Sequence, residues 1–348
     1  MQSRLRSALP SVLMAVGTFL LTVAVLVPTY AAPRIKKLPL DLAVTTVSTA
    51  EATVVDSVAL AMGRPKIETG VPVIAQRHVT VQDPVSADMA TIEAGLTIRR
   101  TDKRGDAGLL SASVDRVSVN RSTGMPTGDV ATIQTSPTEP AVEVPREGLQ
   151  YKFPFGVEPR SYPYFDLNMR ESFPLDFVEE TEIDGVPAYH FSQTVGPSDT
   201  IDALGAPGTE LTLPGTTWGM DTSNLVTMHR IYSTVRDLWV EPVTGLVLDG
   251  RESVRQAWGR TPDDMYLMPF LEMTTGFDEA TRADQVEMAT TYRRMIQWGT
   301  VYGPIGAGVV GTALLVAGVV LGVRGRRCGR PLATEPGTEP MRLFAPAE

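Results

Sequence analysis

The residues of this chain that could do chemistry are few and loosely grouped. At 265–277 the sequence MYLMPFLEMTTGF sets Met265, Leu267, Met268, Phe270, Leu271 and Met273 close together. Methionine is unbranched and polarizable, so such a cluster can line an irregular apolar pocket that takes an acyl chain, or can fill a core. These six residues are the candidate ligand-binding set. Three histidines, His78, His190 and His229, lie in separate stretches with no second ligand at metal-binding spacing. Asp176, Glu179, Glu180, Glu182 and Asp184 offer oxygen ligands but lack the spacing and glycine of a calcium loop, so they read as a solvated face. There is no Gly-x-Ser-x-Gly elbow, phosphate-cradling glycine loop or His-Glu-x-x-His helix, which removes the motif-bearing enzyme classes. The expectation is a protein that is not an enzyme and holds no metal and no cofactor.

The elements that must position these residues are strands. Residues 71–81, 90–100 and 108–119 alternate apolar and polar side chains with β-branched enrichment, the pattern of strands half-buried on a core. Residues 226–258 read as two strands of a meander turned by Pro242, Val243, Thr244 and Gly245. Residues 123–149, rich in Pro, Thr and Gly, read as a long loop. Val286, Ala289, Tyr292 and Ile296 recur at helical spacing behind Asp278, a ready cap, and predict a helix over 279–298. The fold class expected is a mainly β (α+β) domain of antiparallel sheet.

Two uncharged apolar runs, 9–27 and 303–323, are each long enough for a helix across a hydrocarbon core. Arg4 and Arg6 before the first, with Thr29, Tyr30 and Ala31 behind it, also resemble a cleaved secretory signal, but the run is long for one and Tyr30 is bulky beside the cut. A retained anchor is the expectation. Arg324, Arg326, Arg327 and Arg330 hold the C-terminus in the cytoplasm, and two spans then put the N-terminus there too, although Arg34, Lys36 and Lys37 pull the other way. The domains expected are a cytoplasmic N-terminus (1–8), a first transmembrane helix (9–32), an extracytoplasmic β-rich domain (33–300), a second transmembrane helix (301–323) and a cytoplasmic disordered tail (324–348). In the second span, Gly318 and Gly322 form a small-xxx-small pair that suits close packing against another helix.

The only cysteine, Cys328, follows the second span, so no disulfide can staple the outer domain, and its stability must come from a core. Between residues 34 and 300, 24 basic and 37 acidic residues leave a net charge near −13, which disfavours nucleic acid as a partner.

Two blocks carry a family resemblance. The first spans 149–197 and includes Tyr151 to Gly156, the run Tyr162, Pro163, Tyr164, Phe165, Asp166, and the turn Asp184, Gly185, Val186 with Tyr189 and Phe191. The second spans 230–250 and includes Leu238 to Gly245. These resemble the signature blocks of an actinobacterial envelope family labelled porin PorA, whose function is largely unknown. The two-span plan with a large β-rich outer domain is also similar to the class B scavenger receptors, which pass lipids through an apolar tunnel. The two anchors, the Met-rich segment and the lipid-rich setting that the family resemblance implies together point to a membrane-anchored domain that binds or transfers an apolar, lipid-like envelope molecule. The alternatives are an envelope component without a small ligand, and a porin-like protein. The aromatics of 162–166 and Trp239 are expected to organise the core.

Overall fold

The computed structural model describes residues 2–205, 208–264 and 268–328, which separate into two units, Arg34–Ile296 and the paired ends Met1–Pro33 and Gln297–Glu348. The larger unit is built on antiparallel strands. A first meander holds β1 (Ala43–Val55), β2 (Ile67–Val85), β3 (Met89–Arg100), β4 (Leu109–Asn120), β5 (Pro126–Gln134) and β6 (Val142–Glu143). A second holds β7 (Tyr162–Asp166), β8 (Glu171–Ile183), β9 (Val186–Asp199), β10 (Glu210–Pro214), β11 (Leu225–Val240), β12 (Val247–Gly259) and β13 (Met268–Phe277). The sheet order is β6-β5-β4-β3-β2-β1-β13-β12-β11-β9-β8-β7, with β10 also on β11, so β1 and β13 join the two meanders.

The two free edges of that order do not stay free. The chain leaving β6 donates Val144 N to the Ala131 carbonyl of β5 at 2.8 Å, and then Leu149 N to the Pro163 carbonyl of β7 at 2.8 Å. Phe165 N returns a bond to Leu149 O at 2.9 Å, in a parallel bridge between Leu149 and Tyr164. One segment thus pairs with both edges and closes the hydrogen-bonded circuit, which removes the exposed edges that template aggregation. The stretch 123–149, expected as a loop, therefore holds β5, β6 and this closing segment. Its Pro and Thr residues hid a strand that pairs at an edge, where proline is tolerated.

The period of two is visible in burial. Val71 and Val73 of β2 are buried while Pro72 and Ile74 are exposed, as alternating pleat directions require. The β8–β9 hairpin turns on Asp184 (φ 48°) and Gly185 (φ 79°) between the paired Ile183 and Val186, the doubly left-handed turn that suits strand twist. Inside, Leu149, Phe153, Tyr162, Tyr164, Leu175, Phe191 and Val240 form one core cluster, and Ala52, Val54, Val71, Val73, Leu271 and Met273 another.

The helix Glu279–Gln297 starts where Asp278 Oδ1 accepts from Thr281 N at 2.8 Å. It lays Ala289 and Val286 against Val186, Ala188 and Leu248 on the outer face of β9 and β12. Trp239 belongs to this outer layer. It is only partly buried there and stacks on His190 with ring centroids 4.7 Å apart and planes 7° from parallel. The expected core position is corrected by strand parity, because Leu238 and Val240 take the inward places on either side of it.

The second unit holds the helices Gln2–Leu26 and Gly303–Cys328. Their backbones approach closely at glycines: a Cβ on Gly17 would stand 2.7 Å from Gly311 O, and one on Gly318 would stand 2.9 Å from Pro10 O and 2.8 Å from Met14 Cγ. Gly322 faces Pro10 Cβ at an ordinary 3.8 Å. Away from this seam Phe19, Val25, Val309 and Val316 are exposed.

Candidate functional site

The two sequence blocks that carry the resemblance meet in space. Gly156 N donates to Val243 O at 3.1 Å and Val157 N to Pro242 O at 2.7 Å. The turn Glu241 to Gly245, leading from β11 to β12, is thereby clasped by the segment that precedes β7. Lys152 lies between them, buried, with its Nζ donating to Thr244 O at 2.9 Å and to Phe153 O, and standing 4.1 Å from the Phe155 ring centroid. Burial pushes its pKa down to about 7 against the opposing pull of Glu241. Glu241, fully buried, accepts from Thr244 N and Thr244 Oγ1 at 2.7 Å each, which folds the turn on itself.

A second polar group lies on the inner face of the sheet. Arg236 of β11 reaches Glu252 Oε1 at 2.6 Å and Asp166 Oδ2 at 3.2 Å, and donates to Gln193 Oε1. Tyr232 Oη donates to Asp166 Oδ2 at 2.9 Å, while the other oxygen of Asp166 takes Asn168 N and Met169 N. Burial would raise the Glu252 carboxyl, but the charges of Arg236 and Arg77 and the hydrogen bonds from Arg236 and Thr234 together hold it below its ordinary value. Further along, Asp115 accepts from Tyr151 Oη at 2.6 Å and from Arg146. Every oxygen of Asp166 is thus satisfied, as a buried carboxylate requires.

The candidate ligand set falls on β13, between β1 and β12 in the sheet. Met265 and Leu267 lie outside the described residues. Met268 is buried with Val55, Leu60, Trp218, Met228 and Trp258, Leu271 and Met273 are buried in the neighbouring cluster, and Phe270 packs against both. The structure therefore brings Met268, Phe270, Leu271 and Met273 together as packed side chains along one strand. The cavity between Val117, Gly148, Tyr151 and Phe165 holds about 10 Å³, room for no more than about one water.

The histidines stay apart. His190 Nε2 lies 3.0 Å from Asp237 Oδ1, His229 Nδ1 lies 2.5 Å from Asp199 Oδ2, and His78 meets Thr45 across strands. Lys152, Arg230, Glu241 and Trp258 were missed from sequence. A signal existed for Arg230, since it shares inward parity with Met228 and Tyr232 on an alternating strand.

This architecture defines a class: a mainly antiparallel β domain flanked by two helices, Ala8–Arg34 and Glu279–Arg324, each long and apolar enough to cross a membrane. The chain belongs to the Porin PorA family, whose family model matches residues 9–320. It is 27% identical to a protein named Porin PorA from Corynebacterium amycolatum, over 90% of this chain and 98% of that protein. It is 28% identical to a Porin PorA of Corynebacterium resistens, over 94% of this chain and 99% of the relative.

Proposed function

We propose that the chain is a two-pass protein of the cytoplasmic membrane, both termini inside, whose β domain works outside as a receptor or carrier for an apolar, lipid-like envelope molecule. The observation that supports the anchoring is a contrast of surfaces. The terminal helices expose Phe19, Val25, Val309 and Val316, whereas the outward positions of the strands carry charged pairs such as Arg255–Glu272 at 3.0 Å and Arg116–Glu93 at 3.3 Å. A strand that faced lipid would show the reverse. The helices then cross as a pair along the Gly17, Gly311 and Gly318 seam, where small residues let backbones approach. The ligand reading is supported by the methionine and aromatic cluster around Met268 and Phe270.

Protease added to spheroplasts is expected to degrade the middle of the chain and spare the tail after Arg324. A protected fragment carrying residues 40–290 overturns the orientation. Lipid extraction and mass spectrometry of detergent-purified protein are expected to recover a stoichiometric lipid. A second reading, pore formation, is supported by the relatives' name and by the charges inside the closed sheet. Lipid-free protein that gives single-channel conductance in planar bilayers would put that reading first, and lipid-free protein without conductance would leave an envelope component with no small ligand.

A further inference from the structure

Arg230 of β11 and Trp258 of β12 are direct partners in the antiparallel register, at the end of the sheet that holds Met268 and Phe270. The Arg230 guanidinium lies 4.6 Å from the Phe270 ring centroid and 5.8 Å from that of Trp258. Arg100, Arg146 and Arg236 each meet a carboxylate. Arg230 meets none among the described residues. Its Nη2 donates to the Gly208 carbonyl, and its Nε is buried with no acceptor among the described residues. The indole Nε1 of Trp258 is also buried and also without an acceptor among the described residues. Buried donors in native proteins are almost always paired, so two orphaned donors on adjacent residues call for a missing acceptor. Burial also pushes the Arg230 pKa down with no neighbouring charge to oppose it.

The surroundings state what that acceptor is attached to. Met228, Met268, Trp218 and Leu60 are buried beside the pair, with Met220 and Phe270 packed against them. Arg230 itself is half-buried: its Nε is enclosed, while its Nη2 bond to Gly208 lies at the surface of the unit. A cation with a planar donor fork suits carboxylate or phosphate oxygens, and the apolar wall suits a chain.

We propose that this end of the sheet binds the head group of an acidic amphiphile, whose carboxylate or phosphate accepts from Arg230 and Trp258 while its hydrocarbon lies against Met228, Met268 and Phe270. This rests on the apolar-ligand reading above and gives that ligand a charge.

The test uses the full chain in detergent, with hexadecanoate, a lysophosphatidate of the same chain length and hexadecanol as probes, read by thermal shift and native mass spectrometry. One or both acids should bind, and the one that binds assigns the head group. Arg230→Met should weaken acid binding by about tenfold or more, the value of a charge-assisted hydrogen bond, and leave hexadecanol unaffected. Trp258→Phe, which removes only the N–H and keeps the aromatic wall, should weaken acid binding by a smaller factor. Hexadecanol bound as tightly as the acids would overturn the head-group site and leave the apolar reading standing. Acid binding unchanged in both variants would overturn the site as well. If none of the three probes binds, both readings fall.

Discussion

Lys152 Nζ donates to the carbonyl of Thr244 at 2.9 Å, although 92 residues separate them in sequence. The amine is buried, and burial holds its pKa at about 7, below the ordinary 10.5 of the unfolded chain. Between those values the unfolded state binds the proton and the folded state does not. Stability therefore rises with pH across that window, and the cost of burying this lysine is greatest below about 7. Lys152→Met removes that cost along with two hydrogen bonds whose loss does not depend on pH. Wild-type stability relative to Lys152→Met should climb by up to about 1.4 kcal/mol per pH unit between roughly 7 and 10. Chemical denaturation of the two proteins at several pH values checks this, and parallel pH curves would mean the lysine is not buried in its charged cost.

Gly245, at φ 70°, closes the turn against the same clasp. A Cβ there would stand 2.7 Å from Phe153 O and 2.9 Å from Lys152 Nζ, in a backbone region that side chains rarely adopt. Gly245→Ala combines left-handed strain with a clash against backbone, so it should cost at least about 2 kcal/mol. A thermal melt decides it. Gly156, also at positive φ but with open space around the built Cβ, is the control, and its alanine variant should be distinctly milder.

How much of this was legible in the sequence follows from what each signal depends on. Alternation at 71–81, 90–100 and 226–258 announced strands because it is a local period, and the Glu241 to Gly245 turn announced itself through proline and glycine. The closing segment did not, since its hydrogen bonds go to partners in both meanders and its own pattern is irregular. Which face of a strand is inward is also a non-local fact: Trp239 looked like core by residue type, yet Leu238 and Val240 own that face. Lys152 and Glu241 were hidden for a further reason, because a buried charge is recognisable only once its distant partner is known. The second span's Gly318 was visible as a small residue, whereas Gly17 and Gly311, which approach each other's backbones, stood out only when the two helices were seen together.

Trp239 is expected to behave as a residue of the outer layer, beside the helix Glu279–Gln297. It stacks on His190, whose Nε2 lies 3.0 Å from Asp237, and it touches the layer of Val286 and Ala289. Trp239→Ala should cost about 1 to 2 kcal/mol, below the 3 to 5 of a fully buried tryptophan. Trp239→Phe, which keeps a stacking face, should recover most of the loss. Denaturant titrations of both variants measure it, and a loss as large as that of a core tryptophan would restore the interior assignment.

The last expectation concerns the seam between the terminal helices. A Cβ built on Gly308 stands 3.7 Å from Ala24 Cβ, the separation of bridged cysteines, and meets no backbone there, so cysteines placed at 24 and 308 should bridge. With Cys328→Ser removing the native thiol, Ala24→Cys with Gly308→Cys should form an intramolecular disulfide on mild oxidation in native membranes, seen as a monomer of altered mobility that reverts on reduction. Gly311→Leu should suppress that bridge, because a Cβ at 311 already meets Gly17 O at 2.9 Å and a larger side chain must push the backbones apart. Val309, exposed on the outward side of the same helix, gives the control: Ala24→Cys with Val309→Cys should not cross-link within a chain. If the 24/308 pair yields covalent dimers in place of an altered monomer, the glycine seam joins two copies of the protein and the intramolecular helix pair in the membrane is wrong.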